Sequence, residues 1–590
     1  MRKIFLLRTV CFTRGKGAGK PFAGCPAYFK FVHFFLVAFF FVVGYNVRME
    51  VLKMEYGVLT FSAYQQGDSC IRLNYVEVYN LKTKERSFFN GSLRNIFEGL
   101  TACGLDYIYI FNAPEFFGFI DYFATVGELF YYDDLKDDSG QRKRITKEAW
   151  AVKEGVGQSY SRKIWLYSTK GNTRHKRLHS VSFMNFSPMV GGLSLQELIE
   201  SFSYCRSGND LEDFANCLQA FDELFESITG QKFLGDKFPA AWTMGGAARN
   251  YYLRLRYPNA TSRLKLYQIS HPHNISFEYQ LREDKLLMPG LLYAYKRKIL
   301  LNTPGLKKYD VNSLFAATER DLPDLGKFEE CSFKDYNQIN RKKYEFIFII
   351  QSLVLKRKKD MPGVFCSPFE TYESNNDYIT ISQEWAVFAP FLEALKNFYD
   401  IVEMEITSVY RAAKYTDPAI MKYVDSLDKL KATARKQHNK GLATIVKFLI
   451  VNLHGKFAQK TVSEEVRFEY DSKQDIIIKQ ETDDIKEEWE NKHFDYIRGA
   501  YIYTMARVRI MEIILRFKEV LPSGGMLVEH IFYDDTDSIV TDLTAPADIV
   551  DSFKLGKLKL EEEYETFEVI APKTYWGRTL DNQIKLVCAA

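Results

Sequence analysis

Between residues 49 and 129 apolar positions alternate with polar ones or gather in short runs, as in YGVLTFSAY, CIRLNYVEVYNL and LDYIYIFNA. β-Branched and aromatic residues between turn formers predict strands, so an α/β domain is expected on the N-terminal side. Helical spacing dominates 194–228 and 383–412 and returns in 421–457 and 494–517. Strands are expected again at 309–315, ending in a turn, and at 527–542. The stretch 133–147 (DDLKDDSGQRKRITK) is charged and holds a Ser-Gly pair, which reads as an exposed loop. No internal repeat is visible, and the mixed order predicts the α+β class.

Length and composition refine this picture. A chain of 590 residues exceeds a single hydrophobic core, and 46% hydrophobic residues are enough to fill several. The 79 basic and 75 acidic residues leave a formal charge of only +4, so any basic track for a polyanion must be local. Nine cysteines lie between Cys11 and Cys588 with no C-x-x-C spacing and an odd total. That pattern argues against a structural zinc site or a disulfide framework and suits a reducing compartment.

Residues 1–49 contain no acid but carry Arg2, Lys3, Arg8, Arg14, Lys16, Lys20, Lys30 and Arg48, and 34–44 (FFLVAFFFVVG) is an unbroken apolar run. Three readings stand side by side: an organelle-targeting leader, which would send the chain to the mitochondrion; a membrane anchor, although the run is shorter than the ~20 residues that span a bilayer; and a buried strand or helix of the first domain.

The strongest local signal is 531–541, IFYDDTDSIVT: a β-forming run, aspartates around Thr536, and a second β-forming run. This layout reads as a hairpin with acidic side chains at its tip, and strand alternation would place Asp535 and Asp537 on one side. Two adjacent carboxylates repel unless a cation lies between them, and Mg²⁺ suits that place; an acidic turn with no ligand is the plain alternative. A second acid, Asp310, stands in KKYDVNSLFAAT, where alone it would read as a cap. The third element is a long helical stretch over 425–460, with Gly455 expected as its C-cap. At ~3.6 residues per turn, Lys436, Lys440, Lys447, Val451 and His454 would share one stripe, presenting cations to a triphosphate or simply facing water.

These segments together resemble the motifs of protein-primed family B DNA polymerases. DVNSLFA is similar to motif A (D-x-x-S-L-Y-P), KFLIVNLHGKFA to motif B (K-x-x-x-N-S-x-Y-G) and YDDTDS to motif C (Y-x-D-T-D-S). APKTYWG at 571–577 resembles the K-x-Y motif of that branch, and YIYTMARVR at 501–509 the helix between motifs B and C. The resemblance covers 289–590 well and the first half weakly.

It implies a right-hand polymerase fold that adds dNTPs to a primer 3′-hydroxyl on a DNA template, replicating a linear plasmid or organellar element from a protein primer, with a terminal protein as partner and no membrane role. Asp310, Asp535 and Asp537 would be catalytic. Two Mg²⁺ ions, with Mn²⁺ as a second option, would be held by Asp310, Val311 and Asp537 and would activate the hydroxyl and neutralise the leaving pyrophosphate. Leu314, Phe315, Arg435, Lys436, Lys447, Asn452 and His454 would bind the dNTP, with Phe315 excluding a ribose. Tyr533, Thr536, Ser538, Lys573 and Tyr575 would face primer and DNA.

The layout implied is a leader (1–48), a degenerate 3′–5′ exonuclease-like α/β domain (49–288), palm with motif A (289–317), an insertion that would contact a terminal protein (318–407), fingers (408–460), a second insertion (461–495), and palm with motif C and K-x-Y (496–590), the thumb largely missing. Four departures stand out. Val451-Asn452 and His454 replace Asn-Ser and Tyr in motif B. YAYKRKIL (293–300) lacks the family's Y-x-G-G glycines but adds Lys296, Arg297 and Lys298. In FNAPEFFGFI (111–120) Phe116 or Phe117 stands where an exonuclease aspartate belongs, and in EDFANCLQAF (212–221) Asn216 does. Phenylalanine offers a hard cation no oxygen, so proofreading is expected to be absent. A catalytically inactive, DNA-binding remnant is the competing reading, and a membrane-tethered protein a third.

Overall fold

The structure is a computed structural model. It describes residues 32–40 and 55–588 apart from internal stretches, the longest being 121–128, 132–148, 260–276, 366–376 and 482–494. The basic residues of 1–49, the charged loop at 133–147 and Lys296, Arg297 and Lys298 lie outside the described residues.

The first half of the chain holds β1 (Val32–Phe40), β2 (Glu55–Gln66), β3 (Cys70–Asn80), β4 (Arg86–Asn90), α1 (Leu93–Ala102), β5 (Tyr107–Phe111), β6 (Leu129–Tyr131), β7 (Ala149–Glu154), β8 (Ser161–Ser168), β9 (Lys176–Asn185), α2 (Leu195–Ser201), α3 (Asp210–Thr229) and α4 (Met244–Arg256). Then follow β10 (Leu292–Ala294), β11 (Leu300–Leu301), β12 (Leu306–Val311), α5 (Leu314–Asp321), β13 (Asp324–Leu325), β14 (Glu329–Cys331), α6 (Phe333–Gln338), β15 (Tyr344–Arg357), β16 (Tyr378–Ile381), β17 (Trp385–Phe388), α7 (Ala389–Leu395) and β18 (Tyr399–Tyr415). The remainder is α8 (Pro418–Lys436), α9 (Lys440–Phe457), β19 (Val466–Asp471), β20 (Ile476–Glu481), α10 (Tyr496–Arg516), β21 (Ile531–Asp535), β22 (Ser538–Thr541), β23 (Leu558–Ala571), β24 (Thr574–Thr579) and β25 (Ile584–Val587).

These elements form two units. One comprises Met1–Ala247, Thr433–Phe448 and Glu464–Asp483, the other Ala248–Ala432, Leu449–Ser463 and Asp484–Ala590. The first is built on a nine-stranded mixed sheet in the order β4-β3-β2-β1-β5-β9-β8-β7-β6. Its apolar face buries Leu59, Phe61, Val76, Ile108, Ile110 and Phe183 against Ile96 and Phe97 of α1. Local signals set the helix ends: Ser92 caps α1, a Ser194/Glu197 capping box opens α2, and Asn209 and left-handed Gly230 bracket α3. Of the apolar run at 34–44, residues up to Phe40 form β1, paired antiparallel along β2, so the strand reading holds for that part.

The second unit carries an eight-stranded sheet in the order β10-β21-β22-β12-β23-β24-β25, with β11 on β23. A six-stranded sheet, β13-β18-β15-β16 with β14 and β17 attached, stands beside α7 and α10. Val311, Phe346, Phe391, Ile510, Ile514, Ile531 and Ile539 share one core, which ties both sheets to α10.

Three expectations change. The helical spacing at 383–412 gives way to β17, the short α7 and the 17-residue strand β18. Apolar residues four apart satisfy both periods, and pairing of β18 along β15 decides for the strand. The single helix over 425–460 is two. Backbone at His438 turns left-handed (φ 52°) and the Asn439 side chain accepts from Leu442 N at 2.9 Å, so α9 starts afresh. The stripe of Lys436, Lys440, Lys447, Val451 and His454 is therefore broken, and within α9 Lys447 and Val451 are exposed whereas His454 is buried. Gly455 caps nothing, because α9 continues to Phe457. Finally, the strand expected at 309–315 ends at Val311, and Leu314 and Phe315 open α5.

Candidate active site

β21 and β22 pair Asp534 with Ile539 and Asp535 with Ser538, which leaves Thr536 and Asp537 as a two-residue turn. Thr536 has φ 63°, where a β-branched residue is strained; such strain persists where surrounding structure imposes it. Next to this hairpin, β12 pairs Asp310 with Ser538, and Val311 N donates to Asp537 O at 2.8 Å. The sheet therefore brings Asp310, Val311, Asp535, Thr536, Asp537 and Ser538 together, although their codons lie over two hundred residues apart.

The acids are not equivalent. The Asp537 carboxyl is pushed up to about 6 by burial, then by the charges of Asp310 and Asp535. Asp310 is also raised by burial, but the ammonium of Lys559 opposes this from 3.0 Å. Asp535 is ion-paired with Lys573. Asp534 faces the other way, fully buried, with no hydrogen-bond partner for either oxygen, so burial holds its carboxyl well above the usual range.

Among the described residues no group of three or more His, Cys, Asp or Glu is placed to cage an ion by itself. The donor set nevertheless suits Mg²⁺, which commonly takes one or two carboxylates and completes its shell with water and phosphate oxygens. Repulsion on Asp537 from two neighbouring carboxylates is what a divalent cation would relieve.

At the start of α5, Phe315 stacks on His454 of α9 (centroids 4.5 Å, planes 16°) and leans on Tyr503 of α10 at 4.8 Å. His454 is neutral: burial lowers its pKa to about 4, and its Nδ1 has no hydrogen-bond partner. Leu314 is buried, Asn452 half-buried, and Lys431 Nζ donates to Ser313 Oγ at 3.0 Å. Arg435, Lys436 and Lys447 are exposed on the 433–448 segment of the other unit. On the far side, Lys573 N donates to the Tyr533 hydroxyl (3.1 Å), and the buried Tyr575 ring packs 5.5 Å from that of Tyr533. The K-x-Y segment is thus joined to the hairpin through Tyr533.

Sequence reasoning missed Lys559, Glu561, Lys308, Lys431 and Tyr503. Alternation in LKLEEEYETFEVIA marks a strand, but no local signal says that Lys559 pairs with Asp310. In the first unit, Phe116 and Phe117 lie in the aromatic core, the Phe116 ring 5.3 Å from Phe61 and 5.4 Å from Phe183. Asn216 is half-buried on α3.

The motif resemblance to the protein-primed family B polymerases is borne out by comparison with known proteins. Residues 293–509 match the family DNA polymerase type B, organellar and viral. A Neurospora intermedia protein named "Probable DNA polymerase" is 22% identical over 305 residues, 48% of this chain; the chain spans about 30% of that relative's length. The fold is that of phi29 DNA polymerase. Its complex with primer-template DNA and incoming nucleotide superposes with a TM-score of 0.66 at 16% identity, covering 90% of this chain and 91% of the other. The phi29 enzyme with single-stranded DNA gives 0.64 at 16% identity, over the same 90% and 91%.

Proposed function

We propose that this chain is a DNA-directed DNA polymerase that adds dNTPs to a primer 3′-hydroxyl, and that it copies a linear plasmid or organellar element from a protein primer. The observation that carries this reading is the wedging of Asp537 between Asp310 and Asp535 at the end of one sheet. Two divalent ions bound through Asp310, Val311 and Asp537 would activate the hydroxyl and neutralise pyrophosphate. The eight-stranded sheet would be the palm, α8 and α9 the fingers, and the first unit an exonuclease-like domain. Asn452 would contact the triphosphate, and Thr536 and Ser538 would shape the turn that meets the primer end. Tyr575 would act by packing under Lys573 and Tyr533. The segment 318–407 would meet a terminal protein, 461–495 would be a second insertion, and the acid-free, basic stretch ahead of β1 supports a mitochondrial destination. Among the described residues no helix is long and apolar enough to cross a membrane. The inactive-remnant reading is not favoured, because matches to polymerases coincide with an intact acidic trio.

The test is primer extension by the purified chain with Mg²⁺ and four dNTPs; a folded, DNA-binding chain that adds no nucleotide sinks the proposal. Two results should accompany it. With the Phe315 ring fixed by His454 and Tyr503, Phe315→Ala should open room for a 2′-hydroxyl and cut dNTP-over-rNTP preference roughly 10- to 100-fold, measured as the ratio of kcat/KM values. An unchanged ratio would remove Phe315 from sugar selection. In the first unit, Phe116 and Phe117 fill the core, so an end-labelled single strand with Mg²⁺ and no dNTP should stay intact; stepwise 3′ shortening would contradict the expected lack of proofreading.

A further inference from the structure

The cations seated on the aspartates support an inference that rests on the polymerase reading. Lys559 Nζ lies 3.0 Å from Asp310 Oδ2 and 2.8 Å from Glu561 Oε1. The other Glu561 oxygen receives Lys308 Nζ at 3.2 Å. Four side chains thus alternate in charge in the order Asp310, Lys559, Glu561, Lys308. Register explains the row. Asp310 pairs with Lys559 across β12 and β23, and a bulge between Lys308 and Tyr309 shifts their partners from Glu562 to Leu560, leaving Glu561 as the extra residue. Bulges re-aim side chains, and this one accompanies a Glu561 carboxylate set between two lysines. The row borders a cavity of about 380 Å³ whose lining includes Lys308, Lys559, Glu561, Glu562 and Tyr575. Lys308 Nζ lies 5.8 Å from the centre of the Tyr575 ring.

We propose that Lys559 is a positioning residue, a place-holding cation that keeps Asp310 oriented in the free protein and withdraws onto Glu561 when a divalent ion arrives. Its ammonium already touches both acids, so withdrawal breaks one ion pair and keeps the other, and the cavity gives the side chain room to move. The ion must displace an ammonium to reach Asp310. The chain alone therefore binds divalent ions weakly, and the negative triphosphate that arrives with the metal tips the exchange. Glu561 is the waiting partner, and Lys308 keeps it in place.

The test is Mn²⁺ binding to the full chain without nucleotide, followed by the paramagnetic resonance signal of free Mn²⁺. Removing one unit charge about 3 Å from Asp310 should tighten binding roughly tenfold in Lys559→Met and in Lys559→Gln, whereas Lys559→Arg should stay near wild type. The Mg²⁺ concentration giving half-maximal extension should fall in the same two variants. Lys559 is one-third exposed, and thermal unfolding checks that each variant is folded. If wild type extends primers and Asp537→Asn weakens Mn²⁺ binding, yet neither neutral variant binds Mn²⁺ more tightly, the place-holder role is wrong while the polymerase reading stands. If wild type neither extends primers nor binds Mn²⁺ in a way that Asp537→Asn weakens, both fall.

Discussion

Primer extension by an Asp537→Asn chain is expected to fall at least roughly 10³-fold, equivalent to about 4 kcal/mol of lost transition-state stabilisation. The substitution is nearly isosteric. The hairpin it sits in is held by main-chain bonds, Asp537 N to Asp535 O at 2.6 Å and Val311 N to Asp537 O at 2.8 Å, which an asparagine keeps. What disappears is one negative charge placed beside two others, the feature on which the proposed divalent-ion site rests. Asp534 gives the matching control. Its carboxyl is buried and without hydrogen-bond partners, and burial pushes it well above the usual carboxylate range, so Asp534→Asn should extend primers near the wild-type rate. Single-nucleotide addition at saturating Mg²⁺ separates the two. An Asp537→Asn chain that extends within tenfold of wild type would take this residue out of the chemistry.

The second large effect concerns stability. Glu319, on α5, is fully buried, and neither carboxyl oxygen has a hydrogen-bond partner. Burial raises its pKa from 4.5 to about 8, against the pull of Arg498 and with some help from Asp417. Between those values the folded chain keeps a proton that the unfolded chain has released. Stability from this group is therefore fully present below about pH 4.5 and is lost as the pH climbs through about 8. Glu319→Gln cannot ionise. Wild type should lose stability on the order of 4 kcal/mol relative to the variant between pH 5 and pH 8, seen as a widening gap in Tm with every other group titrating alike in both. Parallel Tm curves across that range would show that Glu319 is ionised in the folded protein.

The nearby Arg498 explains why an unpaired acid is tolerated here. Its guanidinium bridges Asp324 at 3.1 Å and Asp417 at 3.0 Å, and Asp417 also accepts from the Tyr252 hydroxyl at 2.6 Å. The cations of that cluster are already matched by Asp324 and Asp417, so a third carboxylate would be in excess, and protonation of Glu319 balances the group.

Short-range chemistry was legible in the sequence wherever it was encoded locally. The hairpin at 531–541, the helix at 494–517 and the motif order around Asp310, Lys447 and Asp537 all follow from residue types at fixed spacings, because turns and strand alternation involve neighbours in the chain. Periodicity misled where apolar residues four apart served helix and strand equally, as in β18, and where one left-handed residue, His438, divided an otherwise continuous helix. Tertiary structure alone decided which groups meet. Lys559 on Asp310, Lys573 on Asp535, Tyr503 against Phe315 and the bulge that turns Glu561 between two lysines depend on register between strands and helices distant in sequence. The energies of burial and charge that set the roles of Asp534, Asp537 and Glu319 arise only once those neighbours are assembled and water is removed.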